Sequence, residues 1–223
     1  MESILNQKVY LNILSQSQLD LLPLIKQYKS DYYLVGGTAI ALLIGHRESI
    51  DFDLFTFKNK NQLRTKIILQ SKIADKIVSI LESKDQAHFI INGVKITFFN
   101  FYFKIPVKET ISGIKMPDLL TLAAMKAFAL GGRAKWKDYV DLYFILNQGI
   151  KLEDIIKTAT KLFNTEHATL FGYRNFIEQL MYYSDVSYEE EVIYVGEHQP
   201  TNEKIKAFLT QTAVDFLKNK GLK

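Results

Sequence analysis

Apolar and polar positions change their period several times along this chain, and each change marks an element. Leu11, Ile13, Leu14, Leu19, Leu21, Leu22 and Leu24 recur near a helical period. They predict a helical segment over residues 3–29, with Pro23 as a break or a first-turn residue. Tyr32-Tyr33-Leu34-Val35 predicts a short strand that runs into Gly36-Gly37. Beyond the glycines, Ala39, Ile40, Leu42 and Leu43 are packing positions of a helix, with Thr38 as its N-cap and Gly45 as its end. Residues 50–57 alternate and are rich in strand formers. Residues 61–83 predict an amphipathic helix with Ile67, Ile68, Ala74, Ile77, Val78 and Leu81 facing inward. Residues 87–91 and 94–99 flank Asn92-Gly93, the pair that favours a tight hairpin turn.

From residue 116 the pattern becomes helical. Met116-Pro117-Asp118 opens a helix through Leu130, with Asp118 as a candidate cap. Gly131-Gly132 interrupts it, and Lys135 to Leu146 resumes. Further helices are predicted at 152–163, 170–183 and 202–219, the last with Ile205, Phe208, Leu209, Ala213, Phe216 and Leu217 on one stripe. The polar, acidic segment Ser184–Pro200 reads as a loop. No repeat interrupts this order. The prediction is an α+β chain: an α/β core with an N-terminal helix over residues 1–115, then a helical region over 116–223.

Composition narrows the class. With 223 residues, 48% of them hydrophobic and 23% charged, the chain has the make-up of a soluble globule able to bury a core. No apolar run approaches the roughly 20 residues that cross a bilayer. The N-terminus lacks a secretory pattern, so a cytoplasmic location is expected and no membrane partner. Without cysteine there is neither a disulfide framework nor a thiolate metal site. His46, His88, His167 and His198 lack metal-ligand spacing. A net charge of +4 is compatible with nucleotide or nucleic acid without demanding either.

Three groups of residues carry candidate chemistry. Asp51 and Asp53 are i and i+2 on a strand, so both carboxylates share a face and Phe52 and Leu54 take the other. Close carboxylates repel unless a cation lies between them, and hard oxygen donors suit Mg²⁺. The competing reading is a pair of solvated strand charges. Gly36-Gly37 ends a strand and begins a helix, where the backbone can approach a phosphate and Thr38 can add a hydroxyl. It matches neither the P-loop nor the dinucleotide fingerprint. Lys126, Arg133 and Lys137 form a basic cluster able to face a triphosphate or an RNA backbone. Lys137 and Asp141 are i,i+4 neighbours that can pair, which is also how an ordinary solvated helix face is built. The single tryptophan, Trp136, reads as packing rather than as a base-stacking residue.

Apolar-Gly-Gly, a thirteen-residue spacer, then Asp-apolar-Asp-apolar resembles the signature of the DNA polymerase β-like nucleotidyltransferase superfamily. The resemblance sharpens to the AbiEii/AbiGii toxin family of nucleotidyl transferases. Gly36-Gly37-Thr38-Ala39 is followed by His46-Arg47-Glu48-Ser49-Ile50-Asp51-Phe52-Asp53-Leu54-Phe55, then Ala124-Met125-Lys126, then Arg133 through Lys137-Asp138-Tyr139-Val140-Asp141-Leu142-Tyr143. The motifs cover residues 30–145, and the helical tail matches by general pattern.

The resemblance implies a polymerase β-like fold with a mixed sheet and a metal-dependent enzyme that moves a nucleoside monophosphate from an NTP. The acceptor it implies is an RNA, tRNA included, or a protein, and the biological setting is a toxin–antitoxin or phage-defence pair with a cognate antitoxin. Asp51 and Asp53 would hold Mg²⁺ or Mn²⁺ and, with Lys126, form the catalytic group. Gly36, Gly37, Thr38, Arg47, Ser49, Arg133, Lys137, Asp138 and Asp141 would bind the nucleotide. The pattern departs at one place: relatives often read Gly-Val-Lys-Val-Asp, whereas this chain reads Gly93-Val94-Lys95-Ile96-Thr97. A threonine hydroxyl is a poor general base. Either Asp138 or Asp141 replaces the missing acid, or the acceptor needs no base, or the chain is a catalytically impaired nucleotide-binding or interaction module.

Overall fold

The computed structural model describes residues 9–58, 77–107, 109–111 and 113–221. The chain divides into two compact units, Met1–Asp118 and Leu119–Lys223.

The first unit is built on five strands: β1 (Tyr33–Val35), β2 (Asp51–Thr56), β3 (Ile77–Glu82), β4 (Gln86–Ile91) and β5 (Val94–Asn100), in the order β1-β2-β5-β4-β3. The sheet is mixed. β2 and β5 run parallel, and the other neighbours are antiparallel. The β4–β5 hairpin turns at Asn92 (φ 50°) and Gly93 (φ 82°), both in the left-handed region that the tight turn requires. A separate small hairpin joins β6 (Glu109–Ile111) to β7 (Ile114–Met116).

One face of the five-stranded sheet is core. Phe52, Leu54, Phe89, Ile96 and Phe98 are buried there, with the Tyr28 and Tyr32 rings edge-on to Phe98 at 4.9 and 5.2 Å. The other face carries Asp51, Asp53, Lys95, Thr97 and His88.

Among the described residues two helices accompany this sheet, α1 (Gln16–Gln27) and α2 (Gly36–Ile44). In place of one long helix from residue 3, the described part has a 3-10 turn at Leu11–Ile13, and α1 starts after Ser15. Ser15 and Gln18 form a capping box there. Pro23 lies inside α1 rather than at a break. An interior proline costs about 3 kcal/mol, but Leu21, Leu22, Leu24 and Ile25 are buried on both sides of it. At roughly 1.5–3 kcal/mol each, their burial outweighs the lost hydrogen bond.

The helix predicted over 61–83 is corrected in part. Residues 61–76 lie outside the described residues, and Ile77–Glu82 is strand β3. Its β-branched residues suit a pleated strand. The turn that follows, where Ser83 N–H donates to the Gln86 carbonyl at 2.7 Å, folds it back on β4.

The second unit contains α3 (Leu119–Leu130), α4 (Trp136–Asn147), α5 (Leu152–Phe163), α6 (Tyr173–Met181) and α7 (Asn202–Asn219). Each helix of the sequence pattern is present with its ends moved by up to three residues. Phe128 and Phe163 stack at 4.2 Å. Ser184–Pro200 is anchored as well as polar: Trp136 N–H donates to Ser187 O at 2.9 Å, and Ser187 N–H donates to Ala134 O at 2.8 Å.

Buried tyrosines give the fold a pH signature. Burial pushes the phenols of Tyr28, Tyr32 and Tyr33 well above their ordinary range, and Tyr139 up to about 12. The folded chain therefore keeps protons that the unfolded chain releases from about pH 10 upward. Stability is unaffected below that point and falls above it, by up to about 1.4 kcal/mol per pH unit for each tyrosine. Thermal melts from about pH 8 to pH 11 should be flat and then drop. Tyr33→Phe, which removes a buried hydroxyl lacking a hydrogen bond, should lessen the drop.

Candidate functional site

In the first unit the candidate site grows from the β1–α2 turn. Gly36 has φ 73° and sits against the Asp53 carboxylate, so closely that a Cβ there would collide with Oδ2. Gly37 is held the same way by the Arg47 guanidinium. Gly36 is favoured by its left-handed backbone as well, whereas a side chain at Gly37 would displace the tip of Arg47. The sharp turn at Gly36 also moves the helix start. Val35 is the N-cap of α2, and Thr38, expected as the cap, lies in the first turn and is buried. Its hydroxyl contacts the Asp51 carbonyl and lies 2.7 Å from Ser49 Oγ, which ties the start of α2 to the start of β2.

Arg47 is only 2% exposed and donates from Nη1 to the Glu48 carbonyl at 2.9 Å. His46 is buried beside it, after Gly45 closes α2 in the left-handed conformation. Asp51 and Asp53 are both half-buried on the face away from the core. Their register partners on the parallel strand are Lys95 and Thr97. Thr97 therefore stands directly across from Asp53. The Asp53 carboxylate beside Gly36 also lies at the N-terminal end of α2, where negative charge is favoured by about 0.3–1 kcal/mol.

Two carboxylates, a lysine one strand away and a buried guanidinium form a compact polar patch. Among the described residues there is no group of three or more His, Cys, Asp or Glu side chains able to hold a metal by themselves. A pair of hard carboxylates still fits Mg²⁺, which commonly takes one or two protein carboxylates and completes its shell with water and substrate phosphates.

The second unit holds the other predicted residues. Lys126 on α3 reaches Asp138 Oδ1 at 2.5 Å and Asp141 Oδ2 at 2.8 Å, both on α4. The three side chains are 8%, 3% and 0% exposed. Arg133 Nε lies 3.4 Å from Asp138 Oδ2 with its side chain 55% exposed. It also lines a cavity of about 400 Å³ together with Phe128, Gly131, Phe171 and Asn175.

The predicted Lys137–Asp141 pair is replaced. Asp141 turns to Lys126, and Lys137 lies 3.4 Å from Glu190. Glu190 is also bound by Lys135 at 2.7 Å. The Lys135 hydrogen bond, chiefly, holds its carboxyl at about 2. The basic cluster is therefore largely neutralised by carboxylates of its own unit. Lys126 is thus engaged by two buried carboxylates. Trp136 is buried and stacked on Tyr139, with Lys206 Nζ 5.7 Å from its ring centre.

Comparison with known proteins decides the family. The model of the nucleotidyl transferase AbiEii toxin family, type IV toxin–antitoxin system, matches residues 24–218. This chain belongs to that family. It is a nucleotidyltransferase of the AbiEii toxin type. An uncharacterized protein of Aquifex aeolicus (strain VF5) is 29% identical over 194 residues, 85% of this chain and 90% of the relative.

Solved structures share the fold. MenT4, a nucleotidyltransferase toxin from Mycobacterium tuberculosis H37Rv, aligns with TM-score 0.60 and 12% identity over 91% of this chain and 82% of its own. JHP933 from Helicobacter pylori aligns with TM-score 0.55 and 16% identity over 92% and 94%.

Two residues of the polar face escaped the sequence reading, Lys95 and His88. Counting alternate positions outward from Asn92-Gly93 puts both on the same face as Thr97, so the signal was present in the hairpin.

Proposed function

We propose that this chain transfers a nucleoside monophosphate from an NTP to a hydroxyl of an RNA acceptor, tRNA included, with release of pyrophosphate. Asp51 and Asp53 would hold the divalent ion, Mg²⁺ or Mn²⁺. Bound there, that ion supplies charge neutralisation for the triphosphate and for the departing pyrophosphate. The Gly36-Gly37-Thr38 turn lets the backbone N–H groups at the start of α2, which have no partner within the helix, approach the phosphates. Arg47 adds a fixed positive charge under Gly37, and the Thr38–Ser49 contact keeps turn and strand together.

The observation that supports this reading is the approach of the Asp53 carboxylate to Gly36, which sets a hard oxygen donor beside a glycine turn at the start of a helix. In the cell such an enzyme would act in the cytoplasm, as the toxin of a pair whose antitoxin is encoded alongside. No helix among the described residues is long and apolar enough to cross a membrane.

The test is incubation with each α-³²P-NTP, divalent ion and total RNA. The expected result is labelled RNA and one pyrophosphate per transfer. Labelling of the chain itself or of another protein would move the acceptor class to protein. Label arriving from γ-³²P-NTP instead would replace the reading with phosphoryl transfer. Saturable NTP binding without pyrophosphate release would reduce the chain to a binding module.

A further inference from the structure

We propose that His88 is the general base that takes the proton from the acceptor hydroxyl. The inference rests on the transfer reaction proposed above and adds a residue to it. Asp53 on β2, Thr97 on β5 and His88 on β4 are successive register partners, so their side chains form one row across three strands. Adjacent strands are about 4.8 Å apart. His88 therefore lies roughly 10 Å from Asp53 along this row, with the buried Thr97 between them, and an acceptor hydroxyl would approach above Thr97.

A proton acceptor beside the row would assist loss of the acceptor proton, and among the described residues the other candidates are weak or occupied. Thr97 occupies the place of the carboxylate that the family resemblance implies, and its hydroxyl is too weak a base. Asp138 and Asp141 hold Lys126 in the second unit. His88 is half-buried on the polar face, and its Nε2 lies 3.2 Å from Gln86 Oε1. With Nε2 assigned as donor to that amide oxygen, Nδ1 carries the free lone pair.

Among the described residues, the groups around the ring are Lys95 and Thr97 on β5, Asp53 beyond them on β2, Gln86 on its own strand, and apolar Leu81 followed by Glu82 on β3. Burial first, then Lys95, lowers the pKa of the imidazole, against an opposing pull from Asp53. These influences favour the neutral ring, the form able to accept a proton.

The step balances with no further reactant. The acceptor O–H bond breaks and its proton passes to Nδ1. The oxygen forms a bond to the α-phosphorus while the bond from that phosphorus to the bridging oxygen breaks. Pyrophosphate leaves with that electron pair, and the imidazolium returns its proton to solvent.

The experiment compares wild type, His88→Gln and His88→Ala as full-length chains, measuring kcat and KM for transfer and NTP binding by calorimetry. The expected result is a fall in kcat of about a hundredfold or more, with NTP affinity and KM within about threefold. Added imidazole should restore His88→Ala by about tenfold and leave Asp53→Asn unchanged. Circular dichroism checks folding, and should His88→Ala unfold, His88→Gln carries the comparison. A kcat for folded His88→Gln within about threefold of wild type overturns the inference alone, as does a loss in folded His88→Ala that imidazole leaves untouched. Absence of transfer by wild type overturns the underlying reaction and the inference with it.

Discussion

Asp51→Asn combined with Asp53→Asn should abolish transfer of the α-phosphate label while the chain still folds. Asparagine keeps the shape and one acceptor oxygen of each side chain but removes both negative charges. The proposed divalent ion then loses both of its carboxylate ligands on β2, and with them the charge neutralisation that such an ion supplies, worth several kcal/mol in the transition state. At 1.36 kcal/mol per factor of ten, the rate falls by about a thousandfold or more. Stability should change little, because the two side chains are only half-buried and lie on the face away from the core. The melting transition is expected within about 1 kcal/mol of wild type. Single variants sharpen the result. Asp53→Asn should be the more severe, since the Asp53 carboxylate rests on Gly36. Pyrophosphate release, with circular dichroism alongside, measures both. Full transfer by the folded double variant would remove the two carboxylates from the reaction.

Most of what frames these carboxylates was legible before any coordinates. Alternation over residues 50–57 fixes which side of β2 is core, and Phe52 and Leu54 are indeed buried while Asp51 and Asp53 are not. Asn92-Gly93 sets the β4–β5 register, which aligns His88 with Thr97. The parallel pairing of β2 with β5 is not visible in either strand alone, because it depends on long-range contacts. The structure also explains the misses. Ile77, Val78 and Leu81 occur at spacings that serve a helix, yet β-branched residues followed by a turn favour the strand that is observed. Thr38 has an ideal capping side chain, but Gly36 turns the chain two residues earlier. Lys137 and Asp141 have the right separation to pair. Lys126, however, offers Asp141 a partner shielded from water, where the attraction is stronger than on an exposed helix face.

That buried lysine carries the largest expected effect on stability. Lys126→Met should destabilise the second unit by about 3–5 kcal/mol, because removing one partner of a buried ion group leaves the others charged and desolvated. Lys126 is the shared cation of Asp138 and Asp141, at 2.5 and 2.8 Å. After its loss Asp138 still has Arg133 at 3.4 Å, but that side chain is 55% exposed and screened by water. Its compensation is therefore small. Asp141 is fully buried, so water cannot take the place of the lysine beside it. Against a typical stability of about 5–15 kcal/mol for a whole domain, the change approaches the unfolding threshold.

Neutralising the stranded charges should reverse it. Lys126→Met with Asp138→Asn and Asp141→Leu replaces the ion group by neutral side chains, which is commonly neutral or stabilising. Urea unfolding measures both variants: at about 1–3 kcal/mol per molar, the single variant loses at least about 1 M in its midpoint, and the triple variant recovers most of it. A single variant as stable as wild type would show that the lysine is not holding the two helices together. Its place in the protein would then be argued from phosphate chemistry alone.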